Sequence, residues 1–142
     1  MSGWLLGTNI LAELRRPKPE RRVLSFIAEQ PVESLFVSTV TFAEIRFGIE
    51  RVEDIRKRSD LLDWLTHRVR PLFEGRVLPV SEDVLLRWRL LMEAGRKIRH
   101  TFPQPDLIIA ATGLCHGMTI VTRDVGDYAR TDANLLNPWA LS

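Results

Sequence analysis

Apolar residues in this chain come in two patterns: short continuous runs, and longer stretches in which they recur every three or four positions. The runs are Leu5-Leu6, Leu35-Phe36-Val37, Arg76 to Val80, Met118 to Thr122 and Leu135-Leu136. Their length and β-branched content predict buried strands. Between them lie helical patterns. Asn9 to Arg16 is a short helix entered through Thr8-Asn9 and stopped by Pro17 and Pro19, and Arg22 to Gln30 puts Val23, Phe26 and Ile27 on one face. Thr41 to Glu50 carries Phe42, Ile45 and Ile49 at helical spacing, with Thr41 and Glu44 in a capping-box pattern. Arg56 to Arg70 is amphipathic through Leu61, Leu62, Leu65 and Val69, and Glu82 to Ile98 is a long helix. Arg99 to Pro105 reads as a loop, Asp106 to His116 as an apolar helix ended by Gly117, and Asp132-Ala133-Asn134 as a turn.

Strands that alternate with helices must be joined by crossovers, which makes neighbouring strands parallel. The predicted fold is therefore α/β, a three-layer α/β/α arrangement around a central, mainly parallel sheet. At 142 residues the chain reads as one domain, 1–142.

Composition changes this picture little. Charged residues make up 27% of the chain and the net charge is +2, so a polycation that coats nucleic acid is excluded while a nucleic-acid or acidic-protein partner is permitted. The basic side is mostly arginine, whose planar fork suits phosphate and carboxylate alike. One cysteine, Cys115, cannot form an internal disulfide and, on an apolar helix, reads as a packed small hydrophobe. No apolar run is long enough to span a bilayer, and Trp4-Leu5-Leu6 is too short for a signal peptide, so a cytoplasmic protein without membrane association is expected.

In parallel α/β sheets ligands bind beyond the carboxyl ends of the strands. The polar residues there are Gly7-Thr8-Asn9 after the first strand, Glu44 after the second, Asp106 at the head of its helix and Asp124 after Val121-Thr122-Arg123. Three carboxylates from distant segments thus have a route to one edge. Gathered together they repel one another unless a cation is present, and all-oxygen ligands suit Mg²⁺ or Mn²⁺. Each also has a plainer role: Glu44 as the capping partner of Thr41, Asp106 as a helix-start residue, Asp124 as the start of a following short helix. A Gly-rich dinucleotide fingerprint, a phosphate-binding P-loop and zinc spacing among His67, His100 and His116 are all missing.

Several ordered blocks then point the same way. Leu5-Leu6-Gly7-Thr8-Asn9-Ile10, Ser38-Thr39-Val40-Thr41-Phe42-Ala43-Glu44, Gly75 to Val80, Asp106-Leu107-Ile108-Ile109-Ala110-Ala111, Val121-Thr122-Arg123-Asp124 and Leu135-Leu136-Asn137-Pro138-Trp139 are spread over nearly the whole chain. Together they resemble the PIN-domain family, in its VapC and FitB-like branch of toxins from type II toxin–antitoxin modules. The resemblance implies a single PIN domain that acts as an Mg²⁺- or Mn²⁺-dependent endoribonuclease. It places Glu44, Asp106 and Asp124 at metal-binding, catalytic positions and Thr8, Asn9 and Thr122 behind them, orienting ligand or water, with helix capping an equal explanation for Thr8 and Asn9. It also implies a homodimer held by a small antitoxin, with operator DNA reached only through that antitoxin.

One position departs from the pattern. Gly7 stands where the family places a metal-binding aspartate. A glycine ending a buried strand contributes no packing, so the residue has no local explanation. Either an inactivating substitution or a naturally impaired member accounts for it, and cleavage is expected to be weak in the chain as written. A catalytically silent module that binds antitoxin or RNA, and a nuclease of the same fold acting on DNA, are the alternatives.

Overall fold

The computed structural model describes residues 3–141. Five strands form one sheet in the order β3-β2-β1-β4-β5: β1 (Trp4–Leu6), β2 (Leu35–Ser38), β3 (Val77–Leu78), β4 (Thr119–Val121) and β5 (Asn134–Leu136). Every pairing is parallel, with Leu5 level with Phe36 on one side and Ile120 on the other. Six helices connect them: α1 (Thr8–Arg15), α2 (Arg21–Glu29), α3 (Thr39–Glu50), α4 (Ile55–Trp64), α5 (Glu82–Lys97) and α6 (Asp106–His116).

Strand side chains alternate between the two faces, and two separate cores result. Leu6, Val37 and Val121 face one way and pack with Ile10, Leu11, Val23, Phe26, Phe42 and Ile49 from α1 to α3. Their neighbours Leu5, Phe36 and Ile120 face the other way, toward Ile109 and Ala110 of α6 and Leu91 of α5. The sheet is thus sandwiched, with α1–α4 on one side and α5–α6 on the other, the expected three layers. Truncating a fully buried member such as Leu6 to alanine costs ~2–5 kcal/mol.

Local chemistry sets the helix ends, and here several expectations are corrected. The start of α3 is capped by Ser38, whose hydroxyl accepts from the Val40 N–H, so the helix begins two residues before the expected Thr41. Thr41 is inside the first turn with a buried, unpartnered hydroxyl, and no Thr41–Glu44 capping box forms. α1 opens from Gly7 without any side-chain cap. The helix expected over 56–70 is capped by Asp54 but ends at Trp64; a π turn (Leu65–Val69) and a 3₁₀ turn (Arg70–Phe73) follow, where Pro71 supplies no amide donor. The third strand keeps only Val77–Leu78 of the expected 76–80, and Arg76 instead donates to the carbonyls of Val32, Leu35 and Leu72. Asp132 does turn, at φ 65°, but Asn134 already belongs to β5. Cys115 is exposed, on the solvent side of α6, and not packed as expected. No helix among the described residues is long and apolar enough to cross a membrane.

Candidate active site at the carboxyl edge of the sheet

The strand order reverses direction between β1 and β4, so the connections leaving these two strands part to opposite faces and open a crevice at their carboxyl ends. Gly7 lies at its floor. It is buried in extended backbone (φ −78°, ψ 167°), its N–H donates to the Val121 carbonyl at 2.9 Å, and its own carbonyl accepts from Ile10. This conformation suits any residue, so nothing in the backbone calls for glycine. A Cβ placed there would stand 3.5 Å from Asn9 Oδ1, 3.6 Å from Thr122 Cβ and 3.2 Å from the Val121 carbonyl oxygen. A side chain at position 7 would therefore enter the same polar group of residues that surrounds the crevice.

Asn9 and Thr122 organise that group. The Asn9 amide donates to Asp124 Oδ2 at 3.0 Å and to Thr122 Oγ1 at 3.3 Å, and Thr122 Oγ1 also accepts from the Asp124 N–H at 3.1 Å. Asn9 does not cap α1; it ties the end of β1 to the turn after β4 across 115 residues of chain. Its Oδ1 is buried without a hydrogen-bond partner, an uncompensated acceptor facing the space that a residue-7 side chain would fill. Thr8 opens α1 and is half-buried.

Asp106 begins α6 beside this group without acting as its cap; Pro105 occupies the capping position. Burial pushes its carboxyl up to about 6, helped by a hydrogen bond and repulsion from Asp127 and by the charge of Asp124, against a smaller lowering by the Tyr128 hydroxyl. That hydroxyl, 3.5 Å from Asp106 Oδ1, is itself buried, and its ionisation is pushed well above the usual phenol range by burial and by the Asp106 charge. Asp124 precedes the 3₁₀ turn Val125–Tyr128, as its plainer reading expected, and the turn brings Asp127 and Tyr128 back over Asp106.

The structure thus brings Asp106 and Asp124 together with Asn9 and Thr122, and adds Asp127 and Tyr128, which sequence reasoning missed. The missed signal was the Asp124-x-x-Asp127-Tyr128 spacing straight after a strand, which one tight turn folds onto a single side. Glu44 stands apart: it is exposed in the second turn of α3, and its charge is not among those acting on Asp106. Among the described residues no three His, Cys, Asp or Glu side chains lie close enough to hold a metal ion as they stand. The donors that do gather are nonetheless suited to a hard cation: carboxylate oxygens, one of them driven toward protonation by burial and by its acidic neighbours, and an unpartnered amide oxygen.

Comparison with known proteins agrees with this edge-of-sheet arrangement. Residues 5–134 match the PIN domain model. The chain is 33% identical over 135 residues to VapC ribonuclease Y4jK of Sinorhizobium fredii, covering 95% of this chain and 96% of that protein. It is also 33% identical to toxin FitB of Neisseria gonorrhoeae, covering 95% and 97%. The crystal structure of FitAcB from Neisseria gonorrhoeae superposes with a TM-score of 0.91 over 97% of this chain and 99% of that one. VapC ribonucleases of this kind are generally dependent on a divalent metal. The chain belongs to the PIN-domain family.

Proposed function

We propose that this chain, a single PIN domain across residues 1–142, is the toxin of a type II toxin–antitoxin module and an endoribonuclease by descent, impaired as it stands by Gly7. The observation that supports this most is the set of carboxylates around Asp106, Asp124 and Asp127 at the point where the strand order reverses. Similarity to a VapC ribonuclease and to a toxin supplies the substrate class, RNA.

The proposed cofactor is Mg²⁺ or Mn²⁺. Asp106 and Asp124 would hold it, Asp127 belongs with them by position, and Glu44 is included because it follows β2 at the same sheet edge, not through any contact. When bound, such a cation supplies Lewis-acid stabilisation of charge building on a phosphate. The protein's part is placement. Asn9 orients the Asp124 carboxylate, Thr122 holds the Asp124 backbone N–H and the Asn9 amide, and Tyr128 steadies Asp106. Gly7 withholds a ligand oxygen and a full negative charge from this set.

As partners we propose a second copy of the chain and a small antitoxin, whose basic side chain would compensate the carboxylates and whose own DNA-binding part would reach operator DNA. Gly7 favours one other reading: a silent module that retains antitoxin or RNA binding without cleavage. Incubating RNA and DNA with the chain and with its Gly7→Asp variant, with and without Mg²⁺ or Mn²⁺, separates them. The toxin reading expects metal-dependent RNA cleavage that rises in the variant; the silent module expects none in either.

A further inference from the structure

A second feature lies next to the carboxylates and has the opposite charge. A cleft of about 670 Å³ runs between the C-terminal half of α5, the 99–105 loop and the start of α6. Its floor is apolar: Phe102 and Leu107 are almost fully buried, and the His100 ring meets Phe102 edge-on at 4.5 Å. Its rim carries Arg89, Arg96 and Arg99 against a single carboxylate, Glu93, which is paired with Arg96. Among the described residues Arg89 and Arg99 have no ion-pair partner.

The cleft is held in shape by specific contacts. The His100 N–H donates to the Gly95 carbonyl at 2.8 Å, and a Cβ at Gly95 would meet the His100 carbonyl oxygen at 2.7 Å and the Phe102 ring at 2.8 Å. The loop can lie on α5 only because that residue is glycine. Arg99 adopts a left-handed backbone (φ 57°), a conformation that favours glycine or asparagine. An arginine is held there despite this, with two unpaired guanidinium groups on one rim.

We infer that this cleft takes an unpaired nucleotide of the RNA strand, its base against the half-buried His100 ring and its phosphate on Arg89 and Arg99. An accessible aromatic ring beside a guanidinium rim matches the recognition chemistry of single-stranded nucleic acid. An acidic peptide would satisfy the arginines but would leave the half-buried His100 ring unused. Position supports the same occupant: Leu107 on the cleft floor directly follows Asp106, so cleft and carboxylate cluster share the first turn of α6. This inference rests on the ribonuclease reading and assigns its strand-holding site.

Binding without cleavage tests it, so the Gly7 chain itself serves. Fluorescence anisotropy would follow a short labelled single-stranded RNA of mixed sequence, in EDTA, across a salt series. The probe would be titrated with the unaltered protein, with Arg89→Ala/Arg99→Ala, and with Arg56→Ala/Lys57→Ala on α4 as an equal-charge control. All four side chains are exposed, and melting curves would verify folding. The cleft variant should bind at least tenfold more weakly, with the log–log salt slope reduced by ~0.7 for the one phosphate that the two arginines hold; the control should stay within about twofold. Equal loss in both variants would overturn the cleft while leaving RNA binding intact. No RNA binding by the unaltered chain would overturn the ribonuclease reading together with the cleft. Duplex RNA or a poly-glutamate peptide competing as well as single-stranded RNA would overturn the stacked nucleotide.

Discussion

Replacing Gly7 by aspartate should raise metal-dependent RNA cleavage, and the structure sets what else must change. The backbone at φ −78°, ψ 167° accepts aspartate without strain. The one tight approach is the Val121 carbonyl oxygen, 3.2 Å from the new Cβ, which must yield by a few tenths of an ångström. Loss of glycine's freedom in the unfolded chain contributes ~0.4–1 kcal/mol of stability. Against this, a new carboxylate in the same crevice as Asp124 meets like-charge repulsion, ~2–3 kcal/mol for a separation on the order of 5 Å at an effective dielectric of ~20–40. Without metal the variant should therefore be the less stable protein, by ~1–2.6 kcal/mol. With metal the order should reverse, because a cation at ~100 times its Kd adds ~2.7 kcal/mol through binding linkage. The regained ligand and charge should raise the cleavage rate by ~10²–10³, or ~3–4 kcal/mol of barrier. Cleavage rates and melting temperatures for both proteins, across titrations of Mg²⁺ and Mn²⁺, measure all of this. Equal activity and an equal metal response in the two would refute the assignment of position 7 as a vacated ligand site.

Two further outcomes follow from the same geometry. The Asp106 carboxyl, raised from 3.8 to about 6, keeps its proton in the folded protein over a range where the unfolded chain has released it; metal-free stability should therefore fall as pH rises from about 4 to about 6 and level off above. Asp106→Asn should flatten that fall in urea melts at graded pH, and an unchanged slope would show that the proton is held elsewhere. Gly95→Ala should cost ~1–3 kcal/mol by overpacking, since the new methyl would press on the His100 carbonyl and the Phe102 ring; a melting temperature equal to the parent's would show that the 99–105 loop is not held as described.

Much of the architecture was legible because burial leaves period-specific marks. Leu5-Leu6 and Ile120-Val121 are apolar on both sides since each strand is covered on both faces, which is why short continuous runs located the central strands. Helix boundaries were less legible, because caps compete locally: Ser38 and Thr41 are both plausible caps, and the extended backbone at the end of β2 lets Ser38 accept from the Val40 N–H and leaves Thr41 inside the first turn. The 56–70 helix kept its apolar spacing past Trp64, while Pro71 and the turn back to β3 changed its winding. At the site, Asn9 and Asp124 could be placed from strand ends and Asp106 from the head of its helix, while the part given to Thr122 came from the family resemblance. Asp127 and Tyr128 could not, since their approach to Asp106 depends on a 3₁₀ turn that has no hydrophobic period. Cys115 misled because an apolar helix still has one outward face.

The central claim is that the carboxyl edge between β1 and β4 is a cation site completed by a carboxylate at position 7. A crystal structure of the Gly7→Asp variant grown with Mn²⁺, with an anomalous difference map collected for manganese, tests it most directly. The account predicts a single strong peak bonded at ~2.1 Å to carboxylate oxygens of Asp106 and of the introduced aspartate, with Asp124 or Asp127 in contact directly or through water. A map with no peak at this edge, at a Mn²⁺ concentration that supports cleavage, would contradict it, as would a peak held by other residues.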